Sequence, residues 1–81
     1  MIKLDTKEDA VAHITSLVGE SGKVRDMHDE IIGEIPDRAE MYKAQLGQDF
    51  TETYVEAFKA DRLAGGQWRV LVKRGNVWHQ I

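Results

Sequence analysis

Three histidines, fourteen carboxylates and no cysteine bound the chemistry open to this chain. Zinc or iron needs three or four ligands converging at about 2.0–2.2 Å, and a helix commonly supplies two of them four residues apart. His13, His28 and His79 stand at no such spacing from one another. Asp9 and His13 do, but no third ligand lies near them in sequence. The densest cluster is Asp26, His28, Asp29 and Glu30, where a helix turns Asp26 and Glu30 one way and His28 another. Both groups read as solvated polar surface, so no metal and no cofactor is expected.

Acid/base hydrolysis needs one carboxylic acid held neutral in a partly dry cleft. Every acid here sits in a polar stretch, and none is set apart from its neighbours. Ser16 and Ser21 lack the Gly-x-Ser-x-Gly setting of a nucleophile elbow. Gly19-x-x-Gly22 lacks the Gly-Lys-Ser/Thr that completes a phosphate loop and follows a helical pattern instead of a strand, while Gly65-Gly66 reads as a turn. A non-enzymatic protein is the expectation.

What remains is a surface. Trp68, Val70 and Val72 alternate with Arg69, Leu71 and Lys73, and after Arg74-Gly75-Asn76 comes Val77-Trp78-His79-Gln80-Ile81, the pattern of an antiparallel hairpin. A loop of two or four residues aligns Val72 with Val77 and gathers Trp68, Val70, Val72, Val77, His79 and Ile81 on one face. Leu71 and Trp78 then share the other. A three-residue loop would pair Val72 with Trp78 instead. The first register makes Arg69, Leu71, Lys73, Arg74 and Trp78 a candidate partner-binding set, since a large aromatic desolvates well and Arg supplies directed hydrogen bonds. The partner is a protein or a second copy of the chain; the competing reading has Trp78 cover the chain's own core.

Charge adds an asymmetry. Residues 67–81 hold three basic residues and no acid, against eight basic and fourteen acidic residues in 1–66, so an acidic body carries a basic end. Helices followed by a basic-tipped hairpin are also the ingredients of a winged-helix nucleic-acid binder using Lys73 and Arg74. Against this alternative, the segments read as helices carry at least as many acids as bases, which suits a phosphate-lined groove poorly.

The elements that must position this surface are read from periodicity. Ile2 and Leu4 alternate with Lys3 as a short strand. Thr6 caps a helix over 7–18, with Asp9 three residues on, an apolar stripe of Ala10, Val11, Ile14, Leu17 and Val18, and Gly19 as the stop. Val24, Met27, Ile31 and Ile32 predict a second helix ending near Gly33, and Pro36 opens a third that Gly47 closes. Asp49 and Glu52 form a capping box before Phe50, Tyr54, Val55, Phe58 and Leu63, predicting a fourth helix over 50–64 as the main core element. The expected fold is α+β within a single domain spanning 1–81: three or four short helices, then the C-terminal hairpin, with the N-terminal strand available to make a three-stranded sheet. Met1 to Asp5 turns polar too soon for a signal peptide and no run approaches a membrane span, so cytoplasmic residence is expected.

Overall fold

The computed structural model describes residues 2–35, 55–74 and 77–81, and the helix expected over 7–18 is present as α1 (Lys7–Val18). Its ends form as their residue types direct. Thr6 is extended and its hydroxyl accepts the Asp9 amide at 3.1 Å, while Gly19 takes φ 71° and donates its amide to the Thr15 carbonyl. Ala10, Ile14 and Val18 form the buried stripe.

The rest of the described chain is sheet. In order, β1 (Lys3–Leu4) precedes α1, and β2 (Lys23–Asp26), β3 (Glu30–Glu34), β4 (Val55–Arg62), β5 (Trp68–Arg74) and β6 (Val77–Gln80) follow it. All pairings are antiparallel, in the order β2-β3-β4-β5, and the far side of β5 is shared by β6 and β1. β6 pairs with Leu71–Arg74 and β1 with Trp68–Arg69; the Ile81 amide donates to Val70 and the Ile2 amide to Ile81, so the two strands lie end to end on one edge. Among the described residues the architecture is one helix on one face of a six-stranded open antiparallel sheet. The expected three or four helices with a hairpin are therefore corrected.

Two helices give way to strands, each for an identifiable reason. Residues 23–33 form a β2–β3 hairpin, and Met27, part of the helical stripe that periodicity suggests, lies in its turn and is exposed. That turn is held by Asp26 Oδ1 accepting the His28 amide at 2.9 Å and by the Met27 amide donating to Glu30, with His28 at φ 74°. Gly33 acts as the contact point for α1: a Cβ there would lie 2.6 Å from Ile14 Cγ2 and 2.7 Å from Val18 Cγ1. Over 50–64, the described part is β4, an inner strand between β3 and β5. A register shift between Val55 and Ala57 breaks its alternation and sets Val55 and Phe58, three residues apart, on one face, a spacing that imitates a helix. The third helix over 36–46 and the capping box Asp49–Glu52 lie outside the described residues.

The hairpin β5–β6 forms, but Val72 pairs with His79 and Arg74 with Val77. This two-residue shift from the Val72–Val77 pairing leaves every side chain on its expected face. Trp68, Val70, Ala60, Ile31, Ala10 and Ile14 make the core between sheet and helix, and the short N-terminal strand extends it with Leu4 opposite Trp68.

Candidate functional site

Pairing register divides the candidate residues between the two sides of the sheet. Arg69, Leu71 and Lys73 alternate along β5 on the side away from α1, and Trp78 joins them because it pairs with Lys73. Arg74 does not: it pairs with Val77 on the α1 side, at the end of its strand, and is exposed. Four of the five candidates are thus brought together, and Arg74 is separated from them.

The same register adds residues that sequence reasoning missed. Lys59 falls within the span that periodicity reads as a fourth helix; as part of β4 it lies opposite Leu71, and its ammonium sits 4.5 Å from the centroid of the Trp78 ring. Lys59 also pairs with Glu30 Oε1 at 3.3 Å. Trp78 is half-buried under this cation, with Leu71 and Ala57 buried on the same face. Arg69 crosses to its direct strand partner Asp61 through two bonds, Nε to Oδ1 at 2.6 Å and Nη2 to Oδ2 at 3.2 Å. That fork also raises the guanidinium further above its ordinary range. At the outer edge Arg25 donates to Glu34 at 2.8 Å. The signal in the sequence is the alternation of Lys59 and Asp61, which a helix would spread around its surface and a strand puts on one side.

Charge is consequently sorted by layer. Among the described residues the face away from α1 carries Lys3, Lys23, Arg25, Lys59, Arg69 and Lys73 against Glu30, Glu34 and Asp61, by the register of the five pairings. The helix side, among the described residues, holds Asp5, Glu8, Asp9 and Asp26 against Lys7, Arg62 and Arg74. The basic character that sequence places at the C-terminal end is a property of a whole sheet face.

A second feature lies at the end of the sheet where α1 begins. Asp5, Thr6, Lys7, His28, Asp29, Arg62 and Trp68 line a recess of about 260 Å³. Its cations are matched by acids: Lys7 meets Asp26 at 2.8 Å and Arg62 lies 3.9 Å from Asp29, whose carbonyl also accepts the Arg62 amide. The Lys7 bond, with help from the His28 amide, holds the Asp26 carboxyl below its ordinary value. A recess so balanced has little net pull on an anion. The expected clustering of Asp26, His28, Asp29 and Glu30 is real, but in a hairpin turn, and among the described residues no group of three or more His, Asp or Glu could hold a metal ion. His13, on α1, has its Nε2 buried without a hydrogen-bond partner. Among the described residues no helix is long and apolar enough to cross a membrane.

No family model, curated protein or solved structure matches this chain. The functional reading rests on the geometry of the sheet face.

Proposed function

We propose that the protein is a small non-enzymatic binding or regulatory protein whose sheet face away from α1 receives an acidic segment of a protein partner. The observation that supports this most is the layer sorting of charge around a half-buried Trp78: six basic side chains and an aromatic share one face, beside buried Leu71. Arg69 and Lys59 are already oriented by Asp61 and Glu30, which reduces the ordering cost of presenting them. A carboxylate-rich segment carrying one or two aliphatic residues complements such a face, with the aliphatic side chains against Trp78 and the acids over Lys59 and Lys73.

Nucleic acid is the second reading, favoured by the same basic face and by an aromatic able to stack on a base. It does not depend on a winged helix, because the segment read as the fourth helix contains strand β4. Glu30, Glu34 and Asp61 interrupt the cations and stand close to any phosphate backbone that tracks across the whole face, whereas a short acidic segment needs only the cations beside Trp78.

Selection from a random twelve-residue peptide display library separates the readings. The expected peptides are acidic with an aliphatic or aromatic residue, and they lose at least tenfold in affinity for the Trp78→Ser protein. Basic consensus peptides, or acidic ones indifferent to Trp78→Ser and Lys73→Glu, would overturn the proposal. Submicromolar binding of a twelve-nucleotide single strand would put nucleic acid first.

A further inference from the structure

Among the described residues the sheet has two outer edges, and they are not equally protected. β2 is Lys-Val-Arg-Asp, with three charges in four residues. A second copy pairing antiparallel with it about a two-fold axis must match residues of the same face, so the axis falls on a residue. Centred on Val24, it sets Lys23 opposite the Arg25 of the other copy; centred on Arg25, it sets two arginines together. Like charges directly opposite are destabilising, and β2 is blunted as an edge.

β6 has no such protection. Val77, Trp78, His79 and Gln80 carry no formal charge with His neutral, and Ile81 continues the line. Val77 and Ile81 are 54% and 37% exposed and, with Met27 of the β2–β3 turn, are the exposed large hydrophobic residues among those described. They stand two residues to either side of His79, on the same face. The Ile81 amide points inward to Val70. In antiparallel alternation His79 and Val77 then also bond inward, and Trp78 and Gln80 present their N–H and C=O groups outward.

We propose that two copies of the chain join edge to edge through β6, on a two-fold axis at His79. Val77 of each copy lies against Ile81 of the other, which covers both exposed apolar side chains at once. Trp78 and Gln80 of opposite copies exchange backbone hydrogen bonds, and the two His79 side chains face each other. The helices do not interfere, since α1 packs chiefly over β2, β3 and β4, at the other side of the sheet. The product is one continuous sheet, six strands from each copy, whose two basic faces are coplanar neighbours with both Trp78 residues near the centre. This pairing stands independently of what that face binds.

Two short edge segments bury less than the roughly 1,200 Å² typical of stable complexes, so the association is weak and is measured at protein concentrations on the order of 0.1–1 mM. Sedimentation equilibrium is run on the wild type, His79→Lys, His79→Glu and an equimolar mixture of the two variants. His79 is exposed, so each variant keeps the fold, checked by circular dichroism. Wild type is expected to dimerise; each variant alone places two like charges on the axis and weakens dimerisation at least tenfold; the mixture recovers it, with one copy of each in the dimer. Val77→Glu with Ile81→Lys in the same chain supplies a second check. The introduced carboxylate of one copy then meets the introduced ammonium of the other, and dimerisation survives while Val77→Glu alone loses it. A wild type that stays monomeric at about 1 mM, a dimer unaffected by His79→Lys, or a mixture that fails to recover association would overturn the pairing.

Discussion

Replacing Gly33 with Ala tests the packing of α1 on β3, because it places a methyl on the inner face of the strand. In the sheet it points at α1, where Ile14 Cγ2 and Val18 Cγ1 would be 2.6 and 2.7 Å away. Carbon atoms rest at about 3.5–4.0 Å, so helix and sheet must part by roughly 1 Å. Ile14 is fully buried and Val18 nearly so, leaving neither side chain room to turn aside. Overpacking of this kind costs about 1–3 kcal/mol, and the lower backbone entropy of Ala in a strand returns about 0.5–1 kcal/mol. A net loss of up to about 2.5 kcal/mol is expected in urea unfolding followed by circular dichroism. Ile14→Ala alone costs about 2–5 kcal/mol, and Gly33→Ala added to it should cost less than in the wild type, because the methyl then meets only Val18 Cγ1 and can lean into the space Ile14 vacates. A stabilised Gly33→Ala protein, or strict additivity with Ile14→Ala, would refute the packing of α1 on β3.

The two tryptophans should separate cleanly. Trp68→Ala is expected to lose about 3–5 kcal/mol of folding stability, since Trp68 is only 3% exposed, whereas Trp78→Ser loses about 1 kcal/mol, much of it the Lys59 contact; urea melts of both measure this. Arg69 and Asp61 keep part of their side chains in solvent, so a double-mutant cycle with Ala at both should return a favourable coupling that shrinks as salt is raised. Asp26 has a lowered folded value, so its stabilising contribution is full above the ordinary aspartate range near about 3.9 and fades as pH falls through the lowered value. Asp26→Asn should flatten the acid limb of a stability-against-pH curve in that window, and an unchanged limb would show that the Lys7 contact does not form in solution.

Legibility in the sequence followed the range of the interactions involved. Helix α1 was readable because its determinants are local: Thr6 and Gly19 close its ends, and the stripe from Ala10 to Val18 has one period. The hairpin faces were readable because strand alternation over Trp68–Arg74 needs no partner to be seen. Strand β4 was not, because what makes it a strand is distant in sequence. Asp61 and Lys59 are neutralised by Arg69 and Glu30 only after three strands align, and the bulge before Ala57 disguises the alternation. The β2–β3 hairpin was hidden for a related reason: its turn uses His28 at positive φ with an Asp26 side-chain bond, where a two-residue connection more often carries Asn-Gly. Arg69, Leu71, Lys73 and Trp78 came together because one hairpin holds them all. Lys59 completes the group from a strand whose spacing imitates a helix.

Which side of the sheet meets a partner decides the proposed function, and amide chemical-shift mapping measures that directly. Isotope-labelled protein is titrated with an acidic peptide from the display selection, following backbone amides and the two indole N–H signals. The expected shifts fall on Leu71, Lys73, Lys59 and the Trp78 indole, with α1 and the Trp68 indole unmoved. Shifts concentrated on α1, or on the recess lined by His28 and Arg62, would contradict the assignment of the sheet face as the binding surface.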